Sequence, residues 1–225
     1  MRISVVIPAL NEGQTIGSVL AAIPRQAELE ILVVDGGSVD GTKEVAQASG
    51  ARVIAEPRRG YGRACAAGVA AALGEVLVFM DADGADDPRY LPELLSPLFN
   101  GRAQMVLGSR LGGSIDPGAM PWHQRLGNWC SAQLMRHLYG LSLTDLSPFR
   151  AVLREKLQEL DMQEMAYGWP TEMIAKAAQH GWRILEIPVT YRRRSGGRSK
   201  ISGTFQGTML AAYDILRTIV RYSRL

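Results

Sequence analysis

The chain has 225 residues, 47% of them hydrophobic and 21% charged, which suffices for a substantial core and excludes a disordered composition. The net charge is only +3, so no nucleic-acid partner is expected, but Arg192, Arg193, Arg194, Arg198 and Lys200 cluster, and Arg217, Arg221 and Arg224 follow them. Cys65 and Cys130 form neither a disulfide framework nor a metal set, and no signal peptide or apolar run of about 20 residues is visible, so a cytoplasmic chain without membrane spans is expected.

The first half alternates strand-like and helical patterns. Ile3 to Ile7 is a short apolar run, followed by Pro8, a polar turn and a helical pattern from about Gly13 to Ile23. Glu30 to Val34 is the second strand, and Asp40 is placed to cap a helix over Gly41 to Ser49. Arg52 to Ala55 is a third strand, Gly62 to Leu73 an alanine-rich helix, and Glu75 to Met80 a fourth strand. Pro88 to Phe99 reads as a helix and Gln104 to Leu107 as a fifth strand. Apolar strands alternating with helices predict an α/β fold with a mostly parallel central sheet covered on both faces.

The second half is less regular. Gly112 to Pro121 reads as a turn-rich loop, Trp122 to Tyr139 as a helix and Leu146 to Val152 as a strand near the sheet edge. Pro170 to Gln179 is a helix opened by Pro, and Arg183 to Pro188 and Val189 to Arg192 are two short strands. A Gly/Ser/basic loop, Ser195 to Ser202, precedes a last helix at about 204–222. No repeat or linker interrupts the chain, so residues 1–225 are expected to form one domain.

Ligands of open parallel sheets bind beyond the carboxyl ends of the strands. Glu12, Asp35 and the pair Asp81 and Asp83 all fall there. A lone Asp at a strand end can simply fix a turn; several on one rim point to a shared site. Asp81-Ala82-Asp83 offers two hard oxygen ligands suited to Mg²⁺ or Mn²⁺ together with phosphate oxygens. There is no Walker A loop, and no G-x-G-x-x-G follows the first strand. His123, His137 and His180 are scattered and read as surface or packing residues. The four tryptophans, Trp122, Trp129, Trp169 and Trp182, read mostly as packing, with Trp169 a candidate to line a pocket.

These residues sit in motifs that resemble family 2 glycosyltransferases of the GT-A fold, near dolichyl-phosphate mannose synthases and polyprenyl-phosphate glycosyltransferases. Val5-Val-Ile-Pro-Ala-Leu-Asn-Glu12 matches the family's first strand and nucleotide loop, and Val33-Val-Asp-Gly-Gly-Ser-Val-Asp-Gly-Thr42 its second motif. Phe79-Met-Asp-Ala-Asp83 matches the metal motif and Gly108-Ser-Arg110 a later G-S-R. Thr144-Asp-Leu-Ser-Pro-Phe-Arg150 resembles D-x-x-S-G-F, and Arg194-Ser-Gly-Gly-Arg-Ser-Lys200 matches R-x-x-G-x-S-K. The resemblance implies an inverting hexosyltransferase using a UDP- or GDP-sugar. Pro8, Leu10, Glu12, Val33 and Asp35 would hold the nucleoside. Asp81, Ala82 and Asp83 would hold the diphosphate and metal. Arg110, Arg125, Arg194, Ser199 and Lys200 would face donor or acceptor phosphates. Gly36, Ala85 and Pro148 depart from the family's Asp, Gln and Gly; Asp86 or Asp87 is a candidate to compensate for Ala85.

A polyprenyl or dolichyl phosphate acceptor needs positioning cations rather than a proton acceptor, because it is already anionic. An alcohol acceptor needs a base, for which Asp145 and Glu172 are the candidates; equally, Asp145 can fix a turn and Glu172 can sit in a helix's first turn. In the last helix, Phe205, Met209, Tyr213, Leu216, Ile219 and Val220 recur at helical spacing. They predict either a core-packed helix or a basic amphipathic one lying peripherally at the inner face of a membrane, alone or with a membrane subunit. Other readings are a soluble glycosyltransferase with a small-molecule or saccharide acceptor, a sugar-phosphate nucleotidyltransferase, and a nucleotide-sugar-binding partner without activity.

Overall fold

The computed structural model describes residues 1–25, 27–196 and 205–223, with the side chains of 205–208 left out. Its strands are β1 (Ile3–Ala9), β2 (Leu29–Asp35), β3 (Arg52–Ala55), β4 (Val76–Phe79), β5 (Met105–Ile115), β6 (Arg150–Leu153) and β7 (Ile184–Tyr191). The helices are α1 (Ile16–Ala22), α2 (Thr42–Ala48), α3 (Tyr61–Ala71), α4 (Leu91–Phe99), α5 (Trp122–Tyr139), α6 (Arg154–Glu159), α7 (Trp169–Gln179) and α8 (Phe205–Tyr222). One seven-stranded sheet runs in the order β3-β2-β1-β4-β6-β5-β7. All pairings are parallel except the two that β6 makes with β4 and β5.

Successive strand side chains point to opposite faces, and the apolar runs supply both. Val5, Ile7, Val33, Val76 and Val78 enter one core with α1 and α4. Val6, Leu32, Val34, Leu77 and Phe79 enter the other, with α3, α7 and the end of α8. A strand buried on both sides has no polar alternation, hence the near-continuous hydrophobic runs.

Four expectations are corrected. The Leu146–Val152 region supplies β6, which lies inside the sheet rather than at its edge. The loop expected from Gly112 is strand as far as Ile115, and the two short C-terminal strands are one, β7. Ser114 and Ile115 pair with Thr190 and Tyr191. α2 is capped by Gly41 at φ 83°, not by Asp40, whose carboxylate instead accepts the N–H groups of Thr42 (3.2 Å) and Gly13 (3.0 Å) and ties the first two rim loops together.

α3 begins tightly against residues 164–166. The N–H groups of Gly62 and Arg63 donate to the carbonyls of Ala166 (3.2 Å) and Met165 (3.1 Å). A Cβ at Gly62 would lie 2.4 Å from the Glu164 carbonyl oxygen, which backbone cannot readily yield. Gly62→Ala is therefore expected to cost about 1–3 kcal/mol by overpacking, measured as a lower midpoint in urea unfolding.

Candidate active site

The C-terminal ends of β1, β2 and β4 gather the expected carboxylates on one rim. Asp35 ends β2 opposite Ala9 of β1, and its carboxylate accepts the N–H groups of Gly37 and Ser38 at 3.2–3.3 Å. Asn11, in the left-handed region at φ 50°, accepts the Val39 N–H at 2.9 Å and donates its own N–H to Ser38. Glu12 is buried, with its N–H on Thr42 Oγ1 (2.8 Å) and a carboxylate oxygen accepting from Thr15 Oγ1 (3.1 Å). These bonds tie the loop after β1 to the loop after β2. Pro8 and Leu10 are half-buried on this edge. Val33 is fully buried in a core, so its side chain serves packing. A Cβ at Gly36 would meet only ordinary contacts at 3.4 Å or more, so loss of the family's Asp there is not forced by space.

The Asp81–Asp83 loop is built by strain and by a distant segment. Gly84 adopts φ 77°, and a Cβ there would fall 2.1 Å from Ser195 Oγ, so glycine lets the segment after β7 lie on the 81–84 loop. Arg192 N–H donates to the Ala85 carbonyl (2.8 Å) and Ser195 N–H to the Asp83 carbonyl (3.1 Å). This places Arg194 across the acidic pair: one guanidinium nitrogen lies 3.1 Å from Asp83 Oδ2, and another is ion-paired to Glu12. Arg192 instead pairs with Asp87 (2.7 Å), and Arg193 donates to the Pro117 carbonyl. Arg198, Ser199 and Lys200 lie outside the described residues, as does Arg224.

Burial, then the neighbouring Asp83, push the Asp81 carboxyl up to about 7, and Tyr61 Oη is 3.4 Å away. Asp86 lies beneath, buried, with one oxygen 3.4 Å from the Asp81 N–H and the other, Oδ1, without a partner. Burial and then Asp81 raise its pKa well above the carboxylate range. Asp87 is held by Arg89 (2.8 Å) and Arg192, so of the two residues considered for the role of the missing Gln at Ala85, only Asp86 retains acceptor capacity. Crowded carboxylates, one of them with an unpartnered oxygen, suit a divalent cation. Among the described residues no three His, Cys, Asp or Glu side chains converge on one point. Asp81 and Asp83 thus offer two carboxylates, a donor set that a Mg²⁺ or Mn²⁺ ion would complete with phosphate oxygens and water.

Arg110 leaves β5 toward the same rim but is largely committed. Its Nε and Nη2 form a fork on Asp145 (2.7 and 2.8 Å), and it lies over the Tyr191 ring at 5.3 Å. Asp145 is fully buried and also accepts the N–H groups of Arg110 (3.0 Å) and Leu146 (2.8 Å). Glu172 is fully buried too, accepting from Gln163 N–H, Glu164 N–H and Tyr222 Oη at 2.7–2.8 Å and pairing with Lys176. Both carboxylates are structural. Arg125 is exposed on α5.

Three features were not read from sequence. Glu56, just after β3, adds a fifth rim carboxylate, held down to about 2 by hydrogen bonds from Arg58. Its position at a strand end was the available signal. Tyr61 had none. Arg150 is a fully buried guanidinium that donates to the Ser147 and Pro170 carbonyls, and burial lowers its pKa to about 10. It braces the 144–149 loop against α7. Trp169 packs edge-on to Phe79 at 4.9 Å and is core, not pocket lining, whereas Trp122 and Trp129 are exposed at 75% and 54% rather than packed. The three histidines are at the surface, as expected.

The chain is similar to characterised enzymes along most of its length. Dolichyl-phosphate hexose transferase of Haloferax volcanii is 39% identical over 199 residues, 86% of this chain and 84% of that protein. Undecaprenyl-phosphate mannosyltransferase of Micrococcus luteus is 34% identical over 227 residues, 92% and 90% of the two. Glucosyl-3-phosphoglycerate synthase of Mycobacterium tuberculosis, crystallised with Mn²⁺, UDP and glucosyl-3-phosphoglycerate, superposes with a TM-score of 0.79 at 27% identity, over 100% of this chain and 80% of that one. The family model described as glycosyl transferase family 2 matches residues 4–161. With these motifs, a GT-A sheet and the acidic rim in place, the chain belongs to glycosyl transferase family 2.

Proposed function

We propose that the chain moves a hexosyl group, with inversion, from a nucleoside diphosphate hexose to the phosphate of a polyprenyl or dolichyl phosphate. The observation that carries this reading is the commitment of both candidate bases. Asp145 is consumed by Arg110, and Glu172 by two backbone N–H groups, Tyr222 and Lys176. A phosphate acceptor needs neither: an anionic oxygen attacks the anomeric carbon, the carbon–oxygen bond to the diphosphate breaks, and its electron pair leaves with the nucleoside diphosphate. The dolichyl- and undecaprenyl-phosphate relatives support this acceptor.

In this reading the nucleoside lies between the loops of Pro8 to Glu12 and Asp35. Asp81 and Asp83 hold Mg²⁺ or Mn²⁺, which when bound neutralises the charge gathering on the diphosphate. Arg194, with Ser199 and Lys200 of the same motif, positions the acceptor phosphate through charge-assisted hydrogen bonds. Arg110 keeps one terminal nitrogen outside its fork on Asp145, available to a phosphate oxygen. Residues 1–225 form one catalytic domain that works at the cytoplasmic membrane surface. A second reading keeps the donor site but uses a soluble phosphate-bearing acceptor, as the superposing phosphoglycerate enzyme suggests.

The test is a thermal-shift series with UDP and GDP, each with and without Mn²⁺, followed by transfer assays on polyprenyl phosphate and 3-phosphoglycerate. Turnover of phosphoglycerate alone would select the second reading. Glu172→Gln separates the lipid-phosphate acceptor from a hydroxyl acceptor that would use Glu172 as its base, the hydroxyl of phosphoglycerate included. It is expected to change kcat less than about threefold while lowering stability, whereas loss of a true base costs about 10²–10⁴-fold.

A further inference from the structure

From the arrangement of α5 and α8 we infer that their outer faces form a single platform that docks onto an anionic lipid bilayer. In α8, Met209, Tyr213, Leu216 and Val220 form one stripe at spacings of four, three and four residues, and all are 41–62% exposed. The helix meets the protein through its other side, with Ala211, Thr218, Ile219 and Tyr222 buried. The apolar stripe is thus not the core face. In α5, Trp122, Leu126 and Trp129 form a matching exposed stripe, opposite the buried Ser131, Ala132 and Met135. Tyr139 Oη donates to the Ile219 carbonyl (2.7 Å), and Met135, Ile219 and Tyr222 belong to the same core. The C-terminal halves of α5 and α8 thus pack on one core, each with its exposed stripe turned away from it.

Charge and aromatic content select the occupant. α5 contains Arg125 and Arg136 and no acidic residue, and α8 contains Arg217 and Arg221 against a single Asp214. Arg125, Arg136 and Arg217 are exposed. A second copy on this face would bring arginines toward arginines, which costs several kcal/mol when juxtaposed. Anionic headgroups complement them, and exposed Trp and Tyr on a basic helix suit the headgroup level.

The platform begins beside the acceptor side of the site. No residue from Trp122 to Cys130 is buried, so the first half of α5 overhangs the body. Its approach passes Pro117, whose carbonyl holds Arg193, next to Arg194 on Asp83. Five residues from Pro117 to Trp122 span at most about 18 Å. Docking would therefore present the headgroup region to Arg194. The inference deepens the lipid-acceptor reading and rests on it for its purpose, but its binding test needs no acceptor.

The experiment is flotation of the full chain with vesicles of phosphatidylglycerol and phosphatidylcholine, against vesicles of phosphatidylcholine alone, at low and high salt. Wild type is expected to float with anionic vesicles at low salt and to be released by salt. W122A/W129A should bind at least about tenfold more weakly, with unchanged circular dichroism and melting temperature because both side chains are exposed. In buffer without vesicles, the variant and wild type should match on a short-chain, water-soluble isoprenyl phosphate. Failure of wild type to float, equal flotation of the variant, or a wild-type dimer that the substitutions dissociate would overturn docking. Flotation with no turnover of any isoprenyl phosphate would overturn the acceptor reading and leave docking standing.

Discussion

Asp83→Asn is expected to lower kcat/KM for hexosyl transfer by about 10³-fold, near 4 kcal/mol, while the ligand-free protein melts within a few degrees of wild type. The substitution is nearly isosteric. Asp83 Oδ1 accepts the Ala85 N–H at 2.9 Å, and the Asn side-chain oxygen can keep that bond. What goes is the negative charge, the one property a cation requires of this position. The fold loses an ion pair with Arg194 in which both side chains keep about a fifth of their exposure, but the guanidinium is not left unpaired, because Glu12 still holds it. The catalytic loss comes from charge that develops on the departing diphosphate and is no longer balanced. A readout independent of turnover is the Mn²⁺-dependent thermal stabilisation in the presence of nucleoside diphosphate, which should vanish. Asp83→Ala should behave the same catalytically and lose about 1 kcal/mol more stability, since the Ala85 N–H then lacks its partner. Full turnover of Asp83→Asn at saturating Mn²⁺ would remove Asp83 from the metal site.

The rim was legible because its carboxylates follow directly after apolar runs, and a doubly buried strand advertises its own end. Strands β1, β2 and β4 could be read that way, and Glu12, Asp35, Asp81 and Asp83 came with them. β6 could not be placed: an antiparallel strand inserted between β4 and β5 has the same local signature as one at an edge, and only its partners decide. Gly112 and Gly113 read as a turn because glycine usually marks one. At Gly113 it marks close approach instead, since a Cβ would sit 2.1 Å from the Val189 carbonyl oxygen. Helical periodicity found the α8 stripe but not what covers it, and amphipathicity alone cannot tell a core face from a docking face. Tyr61 matters through its closeness to Asp81, and Arg150 through its burial against the Ser147 and Pro170 carbonyls, properties that single residues do not carry in sequence. Arg194 reached the candidate list by resemblance to a motif; the hydrogen bonds of residues 192–195 to the 83–85 loop give it a physical reason to be there.

Arg194→Met is expected to move metal affinity and transfer rate in opposite directions. In the ligand-free chain the Arg194 guanidinium already spans Glu12 and Asp83, so the acidic loop holds an internal cation before any divalent ion arrives. A guanidinium and a divalent ion about 4 Å apart repel by roughly 8 kcal/mol at the effective dielectric of a protein surface, twice the value for two unit charges. Loading Asp83 with Mn²⁺ must displace the guanidinium or work against it. Removing the guanidinium should therefore tighten nucleotide-free Mn²⁺ binding several-fold, measured by calorimetry. The same substitution removes the positioning cation of the acceptor phosphate and should reduce kcat/KM by about 10²-fold. Arg194→Lys sharpens the distinction: it retains charge but not the planar fork that spans two carboxylates. Its Mn²⁺ affinity should fall between those of the other two proteins, and its acceptor KM should rise more than its kcat falls. If Arg194→Met instead weakened Mn²⁺ binding and transfer together, the guanidinium would be a brace for the 192–196 segment, and the electrostatic competition at Asp83 would be wrong.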